Sequence, residues 1–187
     1  MNFWIKKRWK DLVFILIIGL LFIPQIRQPI QVFIQGVFAG SPVDLDKNAQ
    51  KELSTFNFAL RSLDGKNTKL SNSEGKVIIV NNWATWCPPC IAEMPSLQSL
   101  YNDYKDKVDF YFISNEKKNV LKMWLKEKSY DLPVFQPMGP TPKQLNSNSI
   151  PTTYVINKKG TIIIEEVGAH DWNSHAFRDR LDGMIGE

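Results

Sequence analysis

Cys87 and Cys90 are the two cysteines of a 187-residue chain, and they stand three positions apart. Sulfurs at that spacing can close into a disulfide with little backbone movement, which makes a reversible two-electron switch. They lie in Trp83-Ala84-Thr85-Trp86-Cys87-Pro88-Pro89-Cys90, where a β-branched apolar run gives way to helical patterning. A helix N-terminus presents unpaired N–H groups and a partial positive charge, which stabilise a thiolate and lower its pKa. Proline is tolerated in that first turn, where its missing N–H costs nothing. Cys87 is therefore expected to be exposed and nucleophilic, and Cys90, one turn in, to be more buried. An inert core pair fits poorly with two prolines at a helix start. A zinc site would have to recruit His170 and His175, about eighty residues further on. Covalent haem attachment needs histidine after the second cysteine, where Ile91 stands. The expectation is a redox dithiol with no metal and no cofactor besides the disulfide itself.

Several elements must position this pair. Lys76 to Asn82 reads as a buried central strand, Cys90 to Tyr104 as a helix and Val108 to Ser114 as a second core strand. Asn119 is the predicted N-cap of a helix to Lys128, with Val120, Leu121, Trp124 and Leu125 inward. Upstream, Phe56 to Leu60 and Thr68 to Leu70 flank an Asp64-Gly65 turn as a hairpin. Residues 133–149, with five prolines and glycines, read as a loop holding at most one short helix near Lys143 to Asn146. Thr152 to Ile156 and Thr161 to Val167 form a second hairpin, and Ser174 caps a last helix to Met184. The order predicts an α/β fold with a central mixed sheet, helices on both faces and an extra N-terminal hairpin.

With 43% hydrophobic and 22% charged residues, the composition excludes a disordered or collagenous chain, and two cysteines exclude a disulfide scaffold. The net charge of +4 resides in residues 1–40, where Lys6, Lys7, Arg8, Lys10 and Arg27 face one acid, Asp11. Residues 41–187 hold 18 basic and 18 acidic side chains, so nucleic acid is not an expected partner. The basic cluster precedes the apolar run Leu12 to Ile23, twelve residues that would make a helix of about 18 Å. Two readings stand: a cleaved signal peptide, or an uncleaved signal anchor. The small-residue site at Val37-Phe38-Ala39 is far from the apolar run, which favours retention. Ile26, Ile30, Phe33, Ile34, Val37 and Phe38 recur at helical spacing among glutamines, as in an interfacial amphipathic stretch, and Trp4 and Trp9 are placed as anchors. Either reading puts the rest outside the cytoplasm. The expected organisation is residues 1–40 as anchor and interfacial segment touching the bilayer through 12–38, 41–52 as a linker, and 53–187 as the globular domain.

The string WATWCPPC, followed by Ile91-Ala92-Glu93-Met94-Pro95, closely resembles the TlpA/ResA-type membrane-anchored thiol–disulfide oxidoreductases of bacteria, a thioredoxin-fold family. The resemblance runs from about Ser54 to the C-terminus. It includes the hairpin at Leu63-Asp64-Gly65-Lys66 and Lys69-Leu70-Ser71, and Ile150-Pro151-Thr152-Thr153 before a strand. It implies that Cys87 attacks and Cys90 resolves. It implies that Glu93 is a carboxylate behind the dithiol, and its place one turn beyond Cys90 independently puts both side chains on one helix face. A half-buried carboxylate there would have a raised pKa and could exchange a proton with Cys90. Asn81 takes the place of the buried aspartate of thioredoxin proper. Pro151 resembles the cis-proline facing the dithiol, although Ser149 stands where the family usually has glycine. Trp86, Pro88, Ile150, Pro151 and Thr152 are the expected substrate surface, and Trp83 belongs to the core. The resemblance implies disulfide-bearing protein substrates, apocytochrome c among the family's, and a membrane electron donor on the periplasmic side. A disulfide-forming oxidant or isomerase, a thiol peroxidase and a non-catalytic metal-binding module are the alternatives.

Overall fold

The computed structural model describes the backbone of residues 2–187 and the side chains of 9–187 apart from those at 17, 21, 24 and 37. The helices and strands follow the order α1 (Asn2–Leu21), α2 (Pro24–Val37), β1 (Lys51–Glu52), β2 (Ala59–Ser62), β3 (Asn67–Lys69), β4 (Val77–Asn82), α3 (Pro88–Tyr104), β5 (Val108–Ile113), α4 (Lys118–Lys128), β6 (Val134–Pro137), β7 (Thr152–Ile156), β8 (Thr161–Val167) and α5 (His175–Gly186). Short 3-10 turns occupy Leu70–Ser73 and Lys143–Leu145. The strands form one mixed sheet ordered β1-β8-β7-β4-β5-β6-β2-β3. β4, β5 and β6 run parallel, and β7 and β8 continue the sheet antiparallel on the other side of β4.

β4 is central because its β-branched residues are buried on both faces. Val77 and Ile79 enter one apolar cluster, Ile78 and Val80 the other. The first cluster takes Leu97 and Leu100 of α3, Leu121 and Leu125 of α4, and Phe177 and Leu181 of α5. The second is closed by Leu53, Phe58, Leu70 and Leu145, from extended chain and 3-10 turns. The expectation of helices on both faces is corrected here: α3, α4 and α5 bury their apolar sides in the same cluster. Handedness is the reason. The crossovers β4-α3-β5 and β5-α4-β6 step in one direction across parallel strands, and right-handed crossovers in one direction place their helices on one side.

Local boundaries differ too. The first hairpin strand starts at Ala59, because Phe58 N–H turns back to the Phe56 carbonyl at 2.8 Å. α4 begins after Lys117 with no side-chain cap instead of at Asn119, and Val120 is exposed. The proline-rich stretch contains β6, an inner strand between β5 and β2 with Pro133 before it and Pro137 at its end. Residues 41–52, expected as a linker, lie along β8: Val43 N–H donates to Glu166 Oε1 at 3.0 Å, Leu45 N–H to the Ile163 carbonyl at 2.8 Å, and β1 pairs with β8.

Among the described residues no single helix is long and apolar enough to cross a membrane. The pair 9–20 and 25–36 meets that test together, bent by 82°. Leu12, Phe14, Ile15, Leu16 and Phe22 are exposed, as is Trp9, while the Trp4 side chain lies outside the described residues. α2 packs on α3, with Gly36 against the Ala92 carbonyl. Gln31, Val32 and Gln35 are half-buried, whereas Ile30, Phe33 and Ile34 are exposed. This amphipathic helix thus turns its apolar side away from the domain.

Candidate active site

β4 ends beside β5, and the Trp83 N–H donates to the Ile113 carbonyl at 3.0 Å. The chain then leaves the sheet, and Cys87, with extended backbone, becomes the N-cap of α3. Its Sγ accepts the Cys90 N–H at 3.3 Å. Pro88 and Pro89 fill the first turn, where they remove no helical hydrogen bond. Cys87 and Cys90 form a disulfide with Cα atoms 5.2 Å apart. Across from it, Cys87 Sγ lies 3.7 Å from the carbonyl oxygen of Ile150, and the Ile150–Pro151 bond is cis.

The exposure expected for Cys87 is not found: it is 3% accessible and Cys90 fully buried. A helix start supplies polarity to a sulfur but does not keep it in water. Here the disulfide draws Sγ towards Cys90, and Trp83, Ala84 and Ile150 pack in the same cluster. Trp86, 64% accessible, stands out beside it, and Trp83 is buried against Trp124 with ring centroids 5.1 Å apart. Pro88 and Ile150 are half-buried. Pro151 and Thr152 are buried, the Pro151 carbonyl taken by the Gly168 N–H and the Thr152 hydroxyl by the Ser149 carbonyl. Of the five residues expected at a substrate surface, only Trp86, Pro88 and Ile150 present side chains there.

Glu93 lies one turn behind Cys90 on α3 and is 1% accessible. Its Oε1 accepts the Asn81 amide at 2.7 Å and its Oε2 the Trp172 indole N–H at 3.0 Å. Burial pushes this carboxyl up to about 7, against the opposing pull of the Trp172 and Asn81 side-chain donors and the His170 backbone. The Asn81 amide also donates to Thr153 Oγ1 at 2.7 Å, which follows from the direct pairing of Asn81 with Thr153 across β4 and β7.

Two contributors escaped the sequence reading. Glu116, just past β5, clamps the loop before the cysteines: its carboxylate accepts both the N–H and the hydroxyl of Thr85 at 2.7 Å. Its position beyond the C-terminal end of a parallel strand was the available signal. Trp172 follows β8, and nothing in its local sequence announces that it reaches Glu93, 79 residues earlier. His170 does not approach the sulfurs as a ligand set; its ring faces Glu166 at 3.5 Å and the Gly168 carbonyl at 3.1 Å. Among the described residues no group of three or more His, Cys, Asp or Glu is placed to hold a metal ion.

Exchange of a dithiol with a disulfide is the chemistry this arrangement serves, and fold and site together define a thiol–disulfide oxidoreductase of thioredoxin fold. The chain belongs to the AhpC/TSA family, which matches residues 53–164. It is similar to the thioredoxin-like protein YneN of Bacillus subtilis, at 33% identity over 132 residues, 67% of this chain and 75% of that one. The thiol-disulfide oxidoreductase ResA of Bacillus cereus is 32% identical over 134 residues, 69% of this chain and 73% of its own. A solved thiol:disulfide interchange protein of the thioredoxin family from Chlorobium tepidum superposes with a TM-score of 0.56 at 27% identity, covering 79% of this chain and 97% of that one.

Proposed function

We propose that the protein is a membrane-tethered reductant of protein disulfides, working on the extracytoplasmic face of a bacterial cytoplasmic membrane. The observation that carries the reading is Glu93: a carboxyl buried behind the dithiol and held near neutrality can take a proton from Cys90 and return it. In the reduced protein the Cys87 thiolate attacks a substrate disulfide, forming a mixed disulfide and releasing one substrate thiolate. Glu93 takes the Cys90 proton. The Cys90 thiolate attacks Cys87 Sγ, the second substrate thiolate leaves, and two electrons have passed to the substrate as Cys87–Cys90 closes. A membrane dithiol donor then reduces it again.

The cysteine loop supports the reductive direction. Pro88 and Pro89 place no side-chain donor or positive charge between the sulfurs, and the Cys90 N–H is the donor that reaches Cys87 Sγ. Strong oxidants depend on much greater stabilisation of the thiolate. Trp86, Pro88 and Ile150 form the rim a disulfide-bearing protein would meet. The tether is residues 1–40, followed by 41–52 and the redox domain 53–187; a bilayer around 12–38 would cover the apolar side chains that α1 and α2 expose.

The test is the reduction potential of the full chain in detergent micelles, equilibrated against defined thiol buffers and read by alkylation. A value near or below about −270 mV supports the reductant, and one near about −120 mV overturns it in favour of an oxidant. The tether is tested separately by flotation with phosphatidylglycerol vesicles; protein left unbound refutes it.

A further inference from the structure

Asn81 is fully buried, and both of its close bonds come from one end of its amide. Nδ2 donates to Glu93 Oε1 and to Thr153 Oγ1, each at 2.7 Å, while Oδ1 is buried with no partner among the described residues. A buried polar atom without a partner is costly, so its place calls for explanation. The arrangement suits an ionised Glu93, because both carboxylate oxygens then face donors: Asn81 Nδ2 on Oε1 and Trp172 Nε1 on Oε2. It does not suit a protonated one. An indole nitrogen is a donor only, so Oε2 must go on accepting, and the proton must sit on Oε1. There it meets an NH2 group, which cannot accept it.

We propose that the Asn81 amide turns over by about 180° when Glu93 takes up a proton, so that Asn81 is the positioning residue that lets this buried acid exist in both states. After the turn Oδ1 accepts from the Glu93 O–H, the Thr153 hydroxyl reverses to donate to the same oxygen, and Nδ2 takes the partnerless place that Oδ1 held. No covalent bond changes beyond the proton transfer from Cys90 Sγ to Glu93 Oε1. The inference rests on the reading of Glu93 as the partner of Cys90 for its role in turnover, but not for the turn itself. Glu93 is met by neutral side chains, Asn81 from β4 and Trp172 from the segment after β8, and by the His170 backbone; Cys90 stands one turn before it on α3, and Thr153 of β7 reaches it only through Asn81.

The test uses isotope-labelled full chain in micelles. The Glu93 carboxyl carbon reports its titration, and nuclear Overhauser contacts from the Asn81 side-chain amide protons to the Thr153 methyl report the amide's orientation. The contacts are expected above the Glu93 midpoint and lost below it. Contacts that persist unchanged while Glu93 titrates overturn the proposal. Asn81→Leu removes a partner of both states and is expected to move the Glu93 midpoint by well under one pH unit; a rise of about one unit or more, as the loss of a donor to the carboxylate alone would give, counts against it. The wild-type spectra decide the matter even if that variant does not fold. If the amide turns but Glu93→Gln leaves the pH profile of dithiol exchange unchanged, the role of Glu93 fails and the turn of Asn81 stands.

Discussion

Glu93→Gln removes one proton site and almost no volume, so it isolates the electrostatic cost of this buried acid. The carboxyl rises from 4.5 to about 7 on folding. That gap of about 2.5 pH units, at 1.36 kcal/mol per unit, amounts to about 3 kcal/mol. Its sign follows from the direction of the shift. The folded protein holds this proton more tightly than the unfolded chain, so the contribution is fully present below pH 4.5 and lost as pH rises through 7. Wild-type protein should therefore lose about 2–3 kcal/mol from this group alone between pH 5 and pH 8. The other carboxylates are common to both proteins and cancel in the difference. Urea unfolding of the oxidised full chain in micelles, for wild type and Glu93→Gln at pH 5, 6, 7 and 8, measures it. The variant should gain on the wild type steadily across that range. Parallel stability curves would refute the reasoning, because they would mean that the carboxyl ionises as freely in the fold as in the unfolded chain.

Cys90→Ser should halt exchange at the mixed disulfide, seen as a mass-shifted adduct on Cys87 that dithiothreitol removes, whereas Cys87→Ser should form none. Glu116→Ala leaves the Thr85 N–H and hydroxyl without their acceptor and should cost about 1–3 kcal/mol by urea midpoint. Gly160 has φ +83°, and a Cβ there would stand 3.0 Å from the Phe56 ring; Gly160→Ala should destabilise by about 1–3 kcal/mol in the same assay.

Much of the site was legible because it is local. The distance from Cys87 to Cys90, the prolines of the first turn and the carboxylate one turn further on are properties of a single helix, so helical geometry reads them from the letters. The same holds for β4, whose unbroken Val77-Ile78-Ile79-Val80 run announces a strand covered on both faces. β6 was not legible, since Pro133 precedes it, Pro137 ends it, and its strand character comes from β5 and β2 on either side.

What the sequence by itself determined is the redox pair, its place at a helix start and the α/β order of the elements around it. Tertiary structure alone decided the rest. It buried Cys87, which helix position leaves free to be wet or dry, and it put α3 and α4 on one face through the shared hand of successive crossovers, where α5 joins them. It also brought Trp172, from the segment after β8, onto the Glu93 carboxyl and Thr153 of β7 onto the Asn81 amide that holds it. Contacts between residues 70 or more positions apart depend on register and packing across the sheet, and no local pattern encodes them.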